Sequence, residues 1–278
     1  MNLCGVNIST ITLAEVVQKL DEPQIIFTPN PEILLEAERN PEFKEALSCG
    51  TLMLPDGHGL QIVSTLMRLK SRFLRMVLYF PSLLLYLFWK APFKKVIPEI
   101  IHGSDFTVEV CSWAAKREKS VFFLGARAQG AEKTAEFFSR KFPNLCVAGF
   151  SNLDPSEEAL EAVLKSKADV LFVAYGAPKQ EMWVNKWRKE LKGVHTVMTV
   201  GGSFDFYSGD VKRAPALLRK LGLEWVWRLV RDPVGRSRRI WDAVVKFPLM
   251  CLCHDFNKLQ LNSTSRSKGY LFSQVNKR

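Results

Sequence analysis

The chain has 278 residues, of which 47% are apolar and 24% are charged, and its formal net charge is +11. This length and composition allow a substantial buried core, which excludes intrinsic disorder as the main state. The first residues lack the basic cluster, apolar run and cleavage site of a secretory signal, and the six cysteines are scattered. We therefore expect a cytoplasmic protein without a disulfide framework.

Thr12–Glu15 has the sequence of a capping box at a helix N-terminus. After it, apolar runs alternate with predicted helices along most of the chain. The predicted strands are Gln24–Thr28, Thr51–Leu54, Val121–Leu124, Cys146–Phe150, Val170–Tyr175 and Thr196–Val200. The predicted helices are Pro31–Arg39, Gly57–Arg68, a helix capped by Ser104 that runs to Arg117, Gly130–Lys141, Ser156–Lys165 and Gln180–Leu191. This alternation predicts an α/β fold with a Rossmann-like, mostly parallel sheet and helices on both faces.

One segment, at about Ser71–Pro98, interrupts the alternation. Met76–Trp89 is almost wholly apolar, and basic residues bracket it without any acidic residue between residues 66 and 98. The run is too short to span a bilayer, and we expect Pro81 to break it near its middle. Its composition favours a segment that lies on an anionic membrane surface, and a buried pair of core helices is the alternative. Such an apolar block offers nucleic acid too little polar surface, so we expect no nucleic-acid partner.

The C-terminal quarter carries the whole net charge. Residues 212–278 contain 15 basic and four acidic residues, whereas residues 1–211 contain 24 of each. We therefore predict a core at residues 1–211, with the insertion at about 71–98, and a basic helical C-terminal appendage at residues 212–278. The appendage is expected to lie on the surface as short amphipathic helices and to end in a frayed polar tail. The close pair Cys251 and Cys253 lacks the second ligand pair of a structural zinc site, so we expect no metal.

Polar residues follow the predicted strands, where ligands of parallel sheets bind. Asp56 stands between a strand and a helix, so its carboxylate is a candidate general base, although Pro-Asp-Gly is also a common turn. Glu181 and Asp205 are the next candidates for the general base. Gly125 and Gly130 bracket a strand-to-helix loop that suits a diphosphate, and tight packing explains the same glycines equally well. Thr28 and Gln180 lie in the same strand-end loops. Asn30, Lys179, Glu181 and Asp205 are the remaining candidate substrate-binding residues there.

Taken in order, eight segments resemble the WecG/TagA/CpsF family of bacterial glycosyltransferases, over about Leu3–Arg239. They are TPNPE (Thr28–Glu32), LPDGHGL (Leu54–Leu60), HGSD (His102–Asp105), FFLGA (Phe122–Ala126), YGAPKQE (Tyr175–Glu181), GGSFDFYSG (Gly201–Gly209), KRAP (Lys212–Pro215) and GLEWVWRL (Gly222–Leu229). The segment at Ser71–Pro98 departs from the family pattern.

The resemblance implies that an N-acetylmannosamine-type sugar moves, with inversion, from a UDP-sugar donor to undecaprenyl-diphosphate-linked GlcNAc. No cofactor and no obligatory metal are implied. Asp56 matches the proposed base, Thr28 and Gln180 match its polar neighbours, and Arg213 and Arg228 match arginines of the appendage. With Arg231 and Arg236, these arginines are expected to stabilise the departing UDP.

We accordingly expect an enzyme that attaches peripherally to the inner face of the plasma membrane. A non-catalytic membrane-associated scaffold that retains a UDP-sugar-binding fold is the alternative, and a dinucleotide-dependent oxidoreductase is a distant third. Self-association into a homo-oligomer stays open.

Overall fold

A six-stranded parallel sheet organises the computed structural model, which describes residues 1–253 except for the side chains of Ala216, Lys220 and Arg228. The strands are β1 (Asn2–Leu3), β2 (Val6–Asn7), β3 (Gln24–Phe27), β4 (Leu52–Met53), β5 (Ser120–Gly125), β6 (Cys146–Ser151), β7 (Val170–Ala174) and β8 (Thr196–Thr199). The sheet order is β4-β3-β8-β7-β5-β6, and all its neighbours are parallel, while β1 and β2 form a separate antiparallel pair.

Helices connect and cover the strands. In chain order they are α1 (Leu13–Lys19), α2 (Pro31–Arg39), α3 (Pro41–Leu47), α4 (His58–Leu66), α5 (Arg72–Phe88), α6 (Gly103–Lys116), α7 (Gly130–Lys141), α8 (Glu157–Ser166), α9 (Lys179–Lys186), α10 (Phe204–Tyr207), α11 (Ala216–Leu221), α12 (Glu224–Arg231), α13 (Pro233–Trp241) and α14 (Phe247–Cys253). Short 3₁₀ turns at Ala91–Lys95, Glu190–Gly193 and Gly201–Ser203 and a π-helical turn at Asp242–Lys246 complete the connections.

Two apolar layers lie on opposite faces of the sheet, because successive strand residues point to opposite sides. On β5, Phe122 belongs to the layer under α2, α4, α8 and α9, and Phe123 belongs to the layer under α1, α6, α7 and α10. Phe123 stacks on Phe138 of α7 and on Phe172 of β7. The predicted α/β class with helices on both faces is confirmed.

Local signals explain most of the predicted boundaries. Thr12 forms the predicted capping box with Glu15, and Asn30 caps α2 by accepting from the backbone of Ile33. Most other boundaries differ from the prediction by one or two residues, and two helices differ in kind. α6 is capped at His102, with Ser104 already inside the helix, and the predicted helix Gln180–Leu191 ends at Lys186 before a separate 3₁₀ turn.

The apolar insertion forms one continuous helix, so the prediction that Pro81 breaks it is wrong. α5 runs through Pro81, which lies on its exposed side. A proline removes one hydrogen bond of the helix. Here the buried stripe Arg75, Tyr79, Ser82 and Tyr86 holds α5 against the rest of the protein on both sides of the proline. Within residues 1–253, no helix is long and apolar enough to cross a membrane.

The C-terminal appendage does not lie wholly on the surface. α12 and α13 are largely exposed, but Phe247, Cys251 and Leu252 of α14 are fully buried in the same apolar layer as α2 and α4. α14 packs against α5, α4 and α2. The appendage therefore ends in a core helix, within residues 1–253. The tail for which fraying was expected lies outside the described residues.

Candidate active site

A polar cavity of about 940 Å³ lies at the carboxyl edge of the sheet. The loops after β3, β4, β5, β7 and β8 contribute to its wall, as expected for a parallel sheet. The predicted site residues that line it are Thr28, Asn30, Asp56, Lys179, Gln180, Asp205 and Arg236. Residues far apart in the sequence are therefore brought to one cleft.

Asp56 follows β4 and lies beside the first turn of α6. Its Oδ1 is 2.7 Å from Nδ1 of His102, and the backbone N–H of Gly103 is 3.5 Å from its Oδ2. The side chains of Asp56 and His102 are 29% and 28% exposed, so both reach the cavity without being free in solvent. The negative charge of Asp56 also lies where the helix dipole of α6 favours an anion.

The pKa of His102 reflects its position beside Asp56. Burial lowers the pKa of the ring, but the hydrogen bond and charge of Asp56 raise it, with further contributions from Glu224 and Asp105. The net effect is a pKa above the ordinary histidine value. His102 was not among the predicted site residues. Its signal in the sequence was its place before a helix N-terminus, in the HGSD segment.

His58 connects the Asp56 loop to α5. Burial, with the nearby charges of His102 and Lys90, lowers the pKa of His58 to about 3, so the ring is neutral. Its Nδ1 is 2.6 Å from the hydroxyl of Tyr86, and that hydroxyl donates to the side-chain oxygen of Gln61. His58 Nδ1 therefore carries the proton and donates to Tyr86. The buried face of α5 is tied in this way to the residue two positions after Asp56.

Gln180 acts as a bridge between two loops of the cavity. Its side-chain oxygen accepts from the backbone N–H groups of Gly176, after β7, and Gly201, after β8. Its amide nitrogen donates to Glu181, 2.8 Å away. Gln180 lines the cavity but is only 2% exposed, so its contacts fix the loops.

Glu181 lies beneath the cavity wall rather than on it. The side chain is fully buried, and its Oε1 also lies 3.4 Å from the hydroxyl of Thr199. Burial raises the pKa of Glu181 to about 7, although these hydrogen bonds oppose the change. Asp205, the other reserve candidate for the base, does line the cavity, and burial raises its pKa against the opposing charges of Arg127 and Arg236.

The two glycines of the predicted diphosphate loop are explained by tight packing. Gly125 ends β5 at φ +92°, and a Cβ there would lie 2.8 Å from the ring of Tyr175. A Cβ on Gly130, at the start of α7, would lie 2.7 Å from the Cβ of Ala126. The cavity is lined by Ala126 and Arg127 of this loop, and neither glycine is part of its wall.

The four predicted arginines of the appendage differ in their position relative to the cavity. Arg213 lies outside the cavity wall and makes a two-point ion pair with Asp105, at 2.6 and 2.8 Å, and a hydrogen bond to Ser104. Arg231 is exposed over the ring of Trp227, also away from the cavity. Arg236 lines the cavity. The side chain of Arg228 lies outside the described residues.

A second ion pair fastens the appendage to the core at the cavity. Arg239 of α13 binds the carboxylate of Glu32 in α2 at 2.6 Å, and both residues line the cavity. This pair joins α13 to α2, and the pair of Arg213 with Asp105 joins the segment before α11 to α6. In residues 1–253, no group of three or more His, Cys, Asp and Glu side chains is placed to hold a metal ion.

A polar cleft at the carboxyl edge of a parallel α/β sheet is where such folds bind their ligands, and the carboxylate of Asp56 in this cleft is a candidate catalytic group. The model of the glycosyl transferase WecG/TagA/CpsF family matches residues 1–91 and 82–260. The chain belongs to this family, and it is a glycosyltransferase.

Curated relatives are similar over most of the chain. A protein of Bacillus spizizenii is 33% identical over 232 residues, which are 83% of this chain and 79% of the relative. One of Bacillus subtilis is 30% identical over 84% of this chain and 81% of the relative, and one of Staphylococcus aureus is 26% identical over 86% and 89%. Each is named N-acetylglucosaminyldiphosphoundecaprenol N-acetyl-beta-D-mannosaminyltransferase.

Proposed function

We propose that this chain transfers an N-acetylmannosamine-type sugar, with inversion, from a UDP-sugar to polyprenyl-diphosphate-linked GlcNAc. The product would serve the synthesis of a bacterial cell-surface polysaccharide or teichoic acid. The observation that carries the proposal is the Asp56 carboxylate in the wall of a polar cavity, in a member of this family. The names of the relatives support the transferred sugar and the acceptor.

In this reaction Asp56 is the general base. Inversion in a single displacement requires that the acceptor hydroxyl lose its proton as it attacks the anomeric carbon. Asp56 lines the cavity, and Thr28, only 8% exposed, lines it beside Gly103 at the start of α6. Thr28 would orient the reacting groups, and Gln180 would keep the loops after β7 and β8 in place.

The departing UDP needs positive charge near its diphosphate. Arg127, Lys179 and Arg236 line the cavity and can supply it, and guanidinium groups bind phosphate oxygens in a two-point geometry. We propose that these cations take the place of an obligatory metal ion, since the sequence has no Asp-x-Asp motif. Asn30, at the N-terminus of α2, would contribute a polar contact to the substrate. Arg213 would act indirectly, by holding the appendage closed.

In this proposal α5 contacts the membrane that holds the lipid-linked acceptor. Phe73, Phe80, Leu84, Phe88 and Trp89 are between 59% and 89% exposed on this helix and just after it. Exposed basic side chains flank this apolar face at both ends: Arg68, Lys70 and Arg72 before it, and Lys94 and Lys95 after it. An apolar helix face between cationic ends matches an anionic bilayer surface. We propose that α5 rests on the inner face of the plasma membrane.

Product formation tests the proposed reaction directly. The purified full chain is incubated with UDP-N-acetylmannosamine and a polyprenyl-diphosphate GlcNAc analogue, and the lipid-linked disaccharide is sought by mass spectrometry. Asp56→Asn is the inactive control. Absence of product with this donor and with the related uronic-acid and glucose donors would contradict the proposal.

A non-catalytic membrane scaffold remains the second candidate because of the exposed apolar face of α5. It predicts that UDP binds, by calorimetry, while none of these donors is turned over. Turnover that depends on Asp56 would eliminate it.

A further inference from the structure

His102 is the residue in direct contact with the proposed base. The 2.7 Å distance from its Nδ1 to Oδ1 of Asp56 is that of a strong hydrogen bond. His102 also occupies the N-cap position of α6, where its backbone carbonyl accepts a hydrogen bond from the N–H of Phe106. A ring fixed at one end by a helix and at the other by a carboxylate limits the orientations of that carboxylate.

We propose that His102 is the positioning residue of Asp56: its neutral ring donates from Nδ1 to Oδ1 and so fixes the direction in which the carboxylate meets the acceptor hydroxyl. This inference rests on the proposed function. In the reaction, the acceptor O–H bond breaks and its proton passes to Asp56. The oxygen bonds to the anomeric carbon, and the bond from that carbon to the diphosphate breaks, with its electron pair leaving on UDP. His102 keeps its Nδ1 proton throughout.

The protonation state of His102 then controls the strength of the base. A doubly protonated ring forms an ion pair with Asp56, which stabilises the carboxylate and makes it a weaker proton acceptor. The groups that face His102 are Asp56, the neutral ring of His58 at 5.7 Å, and the charges of Glu224 and Asp105. Asp105 is itself paired with Arg213, so Asp56 is the dominant charged neighbour.

The pairing is tested first without substrate. The chain has four histidines, so NMR titration of wild type, His102→Asn and Asp56→Asn assigns the His102 resonance and gives its pKa. We expect the pKa of His102 to lie above the ordinary histidine value in wild type and to fall in Asp56→Asn, because the carboxylate charge is removed. An unchanged His102 titration in Asp56→Asn would overturn the pairing.

The positioning role is tested by the pH profile of kcat/KM. Wild-type activity should fall toward acid pH with a midpoint that matches the His102 titration. His102→Asn keeps a neutral donor near the position of Nδ1, so it should retain activity within about tenfold at pH 8 and move the acid limb toward the ordinary carboxylate range near 4. His195→Asn is the matched control, because His195 contacts Trp113 and the carbonyl of Leu20, away from the cavity.

Two results would overturn the assignment. If His102→Asn loses as much activity at pH 8 as Asp56→Asn, the ring itself takes the proton. If His102→Asn keeps the wild-type acid limb, His102 does not govern the base. Because the NMR titration needs no donor or acceptor, a protein that turns over no sugar would count against the proposed function, and the pairing would still be decided by the spectra.

Discussion

At the scale of single residues, Asp56 is the proposed general base. Asp56→Asn keeps the shape of the side chain and removes its ability to accept a proton, so we expect transfer to fall roughly 100-fold or more with the fold intact. Initial rates and the thermal melting curve of the same sample measure both effects. The control is Asp210→Asn, an exposed aspartate outside the cavity wall. An active Asp56→Asn enzyme would assign the base to another residue.

The buried carboxyl group of Glu181 is expected to make the free energy of unfolding depend on pH. Its pKa of about 7 in the folded protein lies above the 4.5 expected when unfolded, so its stabilising contribution is present below pH 4.5 and is lost as the pH rises through 7. At 1.36 kcal/mol per pH unit, the loss approaches about 3 kcal/mol. Glu181→Gln removes this titration, so its stability relative to wild type should improve between pH 5 and pH 8.

Urea unfolding at both pH values measures this difference. Glu161→Gln, an exposed residue of α8, is the control. If Glu181→Gln and wild type change in parallel with pH, Glu181 does not titrate with the raised pKa.

At the scale of elements, α5 divides its residues between the core and the proposed bilayer contact. Phe80→Gln with Leu84→Gln alters only exposed side chains, so folding should be preserved. Because each side chain contributes apolar area to lipid, we expect affinity for anionic vesicles to fall at least about tenfold in sedimentation assays. Leu164→Gln, a 42% exposed leucine of α8, is the control.

Salt separates the two contributions to this binding. High salt screens the flanking lysines and arginines but leaves the apolar contact, so wild type should be released only in part. Complete release of the wild type by salt would contradict apolar insertion, and so would unchanged binding by the double variant.

At the scale of the whole molecule, measurements on two acceptors can separate the proposed role of the cavity from that of the exposed face of α5. Arg236→Gln should reduce transfer equally to a short soluble acceptor and to a full-length polyprenyl acceptor, because Arg236 lines the cavity. The α5 double variant should reduce transfer mainly to the full-length acceptor, because in the proposed function only that acceptor has to be taken from a bilayer. The ratio of kcat/KM on the two acceptors measures this. Arg238→Gln, exposed on the same helix, is the control. A preferential loss on the full-length acceptor in Arg236→Gln would place that arginine at the membrane.

The sequence by itself determined the order along the chain of the six strands of the sheet and of most helices between them, the α/β class and the positions of the strand-end loops, because periodicity, caps and turns are local properties. Asp56, Thr28 and Lys179 could be placed at one edge for the same reason, since carboxyl ends of parallel strands meet there. These predictions needed no knowledge of which helix packs on which.

Only the tertiary structure decided contacts between distant segments. The pairing of His102 with Asp56 joins loops 46 residues apart, and Arg213 binds Asp105 across 108 residues, so no local pattern predicts either. In the folded protein Gln180 accepts hydrogen bonds from two backbone N–H groups, and the side chain of Glu181 is buried. α5 remains helical across Pro81 and α14 enters the core for the same physical reason. Packing of one helix face against the rest of the protein stabilises a helix more than local propensity does, and packing depends on the assembled fold.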